Sequence, residues 1–132
     1  MSRRRRIGLI VAALAVPLGF LCVVLVDSVM HQFGACRVVR QSAFASPSGS
    51  KLVVVVWKSC GATVPDSTQA SIVTRGRTFS PDSTPAFVSV RGHLDPVVAW
   101  SSDRAVRIGF IPAPDQIFKR DERAGDVAIN YE

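Results

Sequence analysis

The sequence has few of the residues that carry most enzyme chemistry. Its 132 residues include only two histidines and three cysteines, and none of them shows a Cys-x-x-Cys or His-x-x-x-His spacing, so a zinc site made by this chain alone is not expected. A Gly-x-Ser-x-Gly elbow and a glycine-rich phosphate loop are also missing. We therefore predict a protein that is not an enzyme, with no catalytic residue, no metal ligand and no cofactor.

The positive charge of the chain is concentrated in one short segment. The formal net charge is +6 and the isoelectric point is about 10.0, but residues 3–6 hold four of the 16 basic side chains. The remainder of the chain is close to balanced in charge, which argues against a nucleic-acid partner.

Residues 7–26 contain no charged side chain and directly follow these arginines. As a helix that rises about 1.5 Å per residue, the segment would cover roughly 30 Å, the thickness of the hydrocarbon core of a bilayer. The positive-inside rule then places residues 1–6 in the cytoplasm and the chain after Asp27 outside it. We predict a single-pass signal anchor in a bacterial inner membrane, which contacts the bilayer through residues 7–26. Two alternatives stay open: cleavage as a signal peptide and lipid attachment at Cys22.

The chain accordingly divides into a cytoplasmic tail (1–6), the transmembrane anchor (7–26), a juxtamembrane linker (27–35) and a periplasmic domain (36–132). In the periplasmic domain, short apolar or alternating runs are separated by turn residues roughly every 8–12 residues, and no apolar period of 3.6 extends over a helical length. This pattern predicts an all-β fold, a small antiparallel β-meander or sandwich-like domain of about six or seven strands. The strands are expected at 37–44, 51–58, 68–74, 87–91, 97–101, 105–111 and 127–131, with a helical turn in 116–123.

The two cysteines of the outer domain are placed to form a disulfide. Cys36 opens the first predicted strand and Cys60 ends the second. If these strands form an antiparallel hairpin around residues 47–50, the cysteines lie on one rung, at a separation that a disulfide can bridge. The predicted compartment is oxidising, and a catalytic Cys60 would need a histidine close by. A disulfide is therefore predicted.

The polar residues of the domain suggest only one loop site. His93 and Asp95 lie in a Gly-His-Leu-Asp-Pro turn, and loops carry function more often than cores do. A plain solvated turn is the simpler interpretation of this pair. The carboxylates of Asp121, Glu122 and Asp126 are likewise interpreted as solvated turn charges rather than as ligands of a cation.

Several segments occur in an order that resembles a bacterial protein family. They are SPSGSKLVVVVWKSCGAT, STQASIV, VVAWSSDRAVRIGF and VAINY, and the part from Cys-Gly-Ala-Thr to Ser-Ile is the most specific. Over about residues 36–131 the chain is similar to an uncharacterised family of small exported proteins that are membrane-anchored or lipid-anchored. It departs from the pattern at Ser48, where an acidic residue is usual, and at Val64, where a second threonine is common. The resemblance implies export and anchoring, and it supplies no catalytic residues.

Together these features predict a membrane-anchored periplasmic domain that binds a protein or another envelope component without catalysis. One alternative is an immunity or inhibitor protein that blocks a toxin or hydrolase through an exposed loop face. Another is a minimal periplasmic hydrolase, which would require His93, Asp95 and further acidic residues to converge in a pocket.

Overall fold

The computed structural model describes residues 15–29, 36–109 and 112–132. The chain divides into two compact units, Met1–Ala35 and Cys36–Glu132. Each unit is described by itself.

The first unit contains a helix over residues 15–29. Every side chain in this range is exposed, including the large apolar ones of Val16, Phe20 and Val23. Within the described residues, no helix is both long enough and apolar enough to cross a bilayer. Residues 7–14, which form the first part of the predicted anchor, lie outside the described residues.

The second unit is all-β, as the sequence pattern predicts, and its described residues form more strands than the expected six or seven. They are β1 (Arg37–Ala45), β2 (Lys51–Ser59), β3 (Ser67–Thr74), β4 (Ala86–Arg91), β5 (Val97–Ser102), β6 (Ala105–Gly109), β7 (Ile117–Arg120), β8 (Arg123–Ala124) and β9 (Val127–Tyr131).

The prediction of a helical turn in 116–123 is wrong for most of that segment. Only a short 3-10 turn, Pro114–Gln116, is helical, and it ends where the extended strands β7 and β8 begin. The sequence of β7, IFKR, has two apolar residues followed by two basic ones, so it shows no alternation that indicates a strand.

The strands form two sheets. The first has five strands in the order β1-β2-β3-β4-β7, and the second has four in the order β5-β6-β9-β8. β1 to β4 form an antiparallel meander, and β5 and β6 form the predicted hairpin. The expectation of a wholly antiparallel domain is wrong in one place, because β9 pairs with β6 in the parallel direction.

The main core lies between the two sheets. The five-stranded sheet contributes buried side chains such as Val53, Val55 and Phe87, and the four-stranded sheet contributes Val106 and Ile108 among others. Side chains alternate between the two faces of a strand. Since Val53 and Val55 of β2 point into this core, Val54 and Val56 point to the opposite face of the sheet.

That opposite face of β2 is also buried, so the continuous run LVVVVW belongs to a strand covered on both sides, as predicted. Val54 and Val56 form a second cluster with Val73, and Phe79 packs against it from the loop that follows β3. Lys58 lies on the same face with a side chain only 8% exposed, and its Nζ donates to the Pro81 carbonyl and to Asp82 in the same loop.

The chain between β7 and β8 makes a backbone hydrogen bond with each sheet. The Asp121 amide donates to the carbonyl of Phe87 in the five-stranded sheet, and the Glu122 carbonyl accepts from the amide of Ile129 in the four-stranded sheet. The chain therefore passes from one sheet into the other at residues 121–122. On the opposite side of the domain, β1 and β5 are the two edge strands.

Candidate functional site

The edge strands β1 and β5 are bridged by side chains at three levels. Arg40 binds Asp95 at 2.8 Å, the Trp100 indole N–H donates to the Phe44 carbonyl at 3.0 Å, and the Ser48 amide donates to the Asp103 carboxylate at 3.0 Å. Each bridge joins residues 55 or 56 positions apart, so the two strands run in the same direction. Among the described residues, no backbone hydrogen bond joins β1 to β5. We call this boundary the seam.

Trp57 is the centre of a stacked group at one end of the seam. The His93 ring lies 5.0 Å from the indole with an interplanar angle of 3°, and the Arg40 guanidinium lies 4.7 Å from the indole centroid. Arg40 pairs with Trp57 from β1, whereas β3 borders β2 on its other side. The cation and the imidazole therefore approach the indole from opposite sides, a favourable arrangement for an aromatic ring with electron-rich faces.

The loop that carries His93 is fixed by hydrogen bonds from two strands. The Thr68 hydroxyl donates to the Gly92 carbonyl at 2.7 Å and accepts from the Leu94 amide at 2.8 Å. The Trp57 indole N–H donates to the Leu94 carbonyl at 2.8 Å. Thr68 is buried. Its hydroxyl group acts both as donor and as acceptor to the loop, which covers the side chain.

The structure brings His93 and Asp95 to the same group, but it gives them different partners. Asp95 binds Arg40, while the nearest carboxylate to His93 is that of Asp66, whose Oδ2 lies 3.6 Å from Nε2. This distance is longer than a hydrogen bond, and the buried Nε2 has no hydrogen-bond partner among the described residues. His93 and Asp95 therefore do not form an acid–base pair in this arrangement.

The disulfide between Cys36 and Cys60 is confirmed, with an S–S distance of 2.04 Å. Arg37 and Ser59 form the terminal pair of the hairpin β1–β2, so the cysteines occupy the next rung, as predicted. The bond closes the hairpin at the same end as the Trp57 group.

Four exposed residues are the two members of the bond between Arg40 and Asp95 and a valine within two positions of each in the sequence, and we call them the seam surface: Val39, Arg40, Asp95 and Val97. Val39 is 51% exposed and lies at a register shift of β1, and Val97 is 69% exposed at the start of β5. The seam surface thus combines two exposed valines with an ion pair, whose side chains are 50% and 69% exposed.

The other end of the seam is held by acidic turns. The Lys51 ammonium donates to both carboxylate oxygens of Asp126 at 2.7 Å and to the Asp103 carbonyl at 3.2 Å. A hydrogen bond from the Ser48 amide is the main cause that lowers the pKa of Asp103, and the Lys51 hydrogen bond lowers the pKa of Asp126. These residues tie the turns of both sheets together.

Residues 48–51 match the Ser-x-x-Lys spacing that some serine hydrolases use. Their contacts do not fit that chemistry. The Ser48 hydroxyl donates to the Ser50 hydroxyl at 2.8 Å, and Lys51 is ion-paired with Asp126. A serine nucleophile needs a base that accepts its proton, whereas this lysine donates to a carboxylate.

Asp121, Glu122 and Asp126 do not converge on a cation site. The Asp121 carboxylate binds Lys119 at 3.0 Å, and the Asp126 carboxylate binds Lys51 at 2.7 Å. The backbone carbonyl of Glu122 accepts a hydrogen bond from the Ile129 amide. In the parts of the chain that the structure describes, no group of three or more His, Cys, Asp or Glu side chains is arranged to hold a metal ion.

Tyr131 closes the core near the point where the sheets are joined. Its hydroxyl donates to the Asp121 carbonyl at 2.6 Å, and the Arg120 guanidinium lies 4.4 Å from its ring centroid. Burial raises the pKa of Tyr131 to about 12. The neutral phenol is therefore the form present at any ordinary pH, and it acts as a structural hydrogen-bond donor.

Comparison of the chain with protein-family models, with curated proteins and with solved structures gives no match. The resemblance to the family of exported proteins stays a prediction.

Proposed function

We propose that the chain is an exported, membrane-anchored protein whose all-β domain binds a protein partner at the bacterial cell envelope without catalysing a reaction. The partner contacts the seam surface. Residues 7–26 are the anchor, residues 1–6 lie in the cytoplasm and the domain 36–132 lies in the periplasm.

Three observations support the anchor and the compartment. Residues 15–29 are mostly apolar and expose their side chains on every side of the helix, which is unfavourable in water. The arginines at 3–6 provide the positive charge expected on the cytoplasmic side. The disulfide between Cys36 and Cys60 is of a kind that persists in oxidising compartments such as the periplasm.

The observation that carries the binding function is the combination of exposure and rigidity at the seam surface. Arg40 and Asp95 are bonded to each other, and Arg40 is held against Trp57. Ordering such side chains when a partner binds costs little further entropy, because they are already fixed. The exposed Val39 and Val97 beside them supply apolar area that binding can remove from water.

Site-specific photo-crosslinking in the native bacterium tests this proposal. A photoreactive amino acid replaces Val39 or Val97 in the full chain, and the matched control replaces Phe118, which is 51% exposed on β7 at the other edge of the five-stranded sheet. We expect the same discrete adduct from both seam positions and none from position 118. Equal adducts from all three positions, or none from either seam position, would contradict binding at the seam surface.

Replacement of residues 1–26 by a cleavable signal tests the anchor separately. We expect the full chain to remain with the membrane fraction after extraction at alkaline pH, and a chain exported with a cleavable signal in place of residues 1–26 to appear in the soluble periplasmic fraction. If the full chain is itself released by alkaline extraction, the anchor is refuted.

A further inference from the structure

The four edge strands of the domain differ in how well they are protected against pairing with another strand. Natural proteins protect edges with charged side chains, short strands and bulges. β1 carries Arg37 and Arg40 and a register shift between Val38 and Arg40. β7 has four residues, two of which are basic, and β8 has two residues, one of which is basic.

β5 has the least protection of the four. Its sequence VVAWSS contains no charged residue and no proline, and it extends over six residues. A register shift occurs only near its end, between Trp100 and Ser102. In the part of the chain that the structure describes, β5 pairs with β6 on one side and with no strand on the other. That outer side lies at the seam, where the described contacts to the β1 side are those of Asp95, Trp100 and Asp103 and none is a backbone pairing of β5, so its backbone N–H and C=O groups have no strand partner.

A small groove lies between β1 and the segment that leads into β5. Its volume is about 40 Å³, and its apolar part is formed by Phe44, Val55 and Trp57, with Arg40 and Asp95 at its border. In complexes formed by strand addition, backbone hydrogen bonds supply affinity, and pockets for alternate side chains supply specificity. This groove has room for a side chain about as large as that of alanine.

We infer that the partner docks through an extended segment that pairs with the outer edge of β5 and becomes the fifth strand of that sheet. A small apolar side chain of this segment enters the groove beside Trp57, and the next one along the same face packs against the seam surface. The partner is thus a protein with an exposed or unstructured apolar segment, and not a folded surface or a lipid headgroup. This inference rests on the proposed binding function and names its ligand.

The probe is a displayed library of random linear nine-residue peptides, selected against the full chain in detergent micelles. The selected peptide is synthesised together with two N-methylated isomers. One isomer carries N-methyl groups on the odd-numbered residues and the other on the even-numbered residues, so each isomer lacks the N–H groups of one edge. We expect one isomer to bind at least about ten-fold more weakly and the other to bind like the parent, because only one edge of the peptide faces β5. Hydrogen exchange should show protection of amides in β5 on binding.

Lysine substitutions provide the matched control. Val97→Lys places a charge at the edge of β5, and Phe118→Lys places one at the edge of β7, and both positions are exposed. We expect Val97→Lys to weaken peptide binding by about ten-fold or more and Phe118→Lys to leave it unchanged. Equal binding of the two N-methylated isomers, protection confined to β1 or β7, or a selection that enriches no peptide would overturn the inference.

The crosslinking experiment separates this inference from the proposed function. If Val39 and Val97 capture a partner but no peptide passes the test above, the partner binds at the seam by its folded surface and strand addition is wrong. A crosslink between two copies through Val97, together with a dimer in sedimentation, would identify a second copy as the occupant and would also overturn the inference. If neither peptide nor partner is captured, both proposals fail.

Discussion

Removal of the disulfide should cost the domain a large part of its stability. The perturbation is Cys36→Ser together with Cys60→Ser, which opens a loop with a sequence separation of 24. In the chain-entropy model, a loop of this size contributes about 3.5 kcal/mol at 25 °C, by restricting the unfolded chain. Globular domains have a net stability of only about 5–15 kcal/mol, so the loss is expected to be severe.

The disulfide lies at the open end of the hairpin formed by β1 and β2. The cysteines follow directly on the terminal pair of β1 and β2, formed by Arg37 and Ser59. Without the bond, we expect this terminal pair to open first, because the register shift between Val38 and Arg40 follows close behind it along β1. For a domain of this size, about 3.5 kcal/mol corresponds to a fall of roughly 14–28 °C in the thermal midpoint.

Tryptophan fluorescence can follow this unfolding selectively. Trp57 and Trp100 both lie in the β domain, in β2 and β5, so the signal excludes the helix of residues 15–29. Cys22→Ser is the matched control, since Cys22 is a free, exposed cysteine and its loss should leave the midpoint unchanged. A difference below about 1 kcal/mol between the double variant and the control would refute the chain-entropy argument for this hairpin.

The same bond also tests the compartment. Thiol alkylation of protein isolated from its native location should modify Cys36 and Cys60 only after a reductant is added. If both thiols are already free in that protein, the disulfide does not form there, and the periplasmic assignment loses one of its supports.

Three further predictions concern single side chains. Phe87→Ala removes a large buried side chain between the sheets, and we expect the free energy of unfolding in urea to fall by about 3–5 kcal/mol; a fall below about 1 kcal/mol would show that the core collapses into the space. Trp57→Phe keeps an aromatic ring but loses the hydrogen bond to the Leu94 carbonyl, so we expect a loss of about 1 kcal/mol or more by circular dichroism, and an unchanged midpoint would contradict the role of the indole N–H in holding the loop. Because the Lys51 hydrogen bond keeps the pKa of Asp126 below its usual value, the stability that this pair adds is complete above the unfolded pKa of about 3.9 and is lost as the pH falls through the folded pKa. We therefore expect Asp126→Asn to be less stable than the native chain at neutral pH and to converge with it in acid, and a difference that persists unchanged at pH 2 would contradict this linkage.

Much of the fold could be predicted because its strongest elements are local. The run in β2 is apolar on both faces, and the structure buries it on both faces. The turn at Ser102 and Asp103 separates two apolar runs, and these form the hairpin β5–β6. The alternation of Val127 and Ile129 in the last predicted strand is also confirmed, since both side chains are buried.

The rest depended on long-range contacts that leave no local pattern. β7 is short and its sequence IFKR does not alternate, and it is extended because its backbone pairs with β4. The stacked group around Trp57 combines residues from β1, β2 and the loop after β4. Each of these residues taken alone is compatible with a solvated turn or a packed core. His93 and Asp95 could therefore be predicted as polar loop residues, but the stacking of His93 on Trp57 and the bond of Asp95 to Arg40 could not.

The position of β9 has a consequence for the order of folding. β9 follows all the other strands along the chain, yet it lies inside its sheet, between β6 and β8. The meander of β1 to β4 contains only neighbouring strands and can assemble before the last residues of the domain are made. The second sheet cannot form completely until residues 127–131 are present, because β9 is the strand that pairs with β6 on the side away from β5. We therefore expect a partly synthesised chain to present a half-folded domain, in which the β5–β6 hairpin stays incompletely paired until β9 has been made.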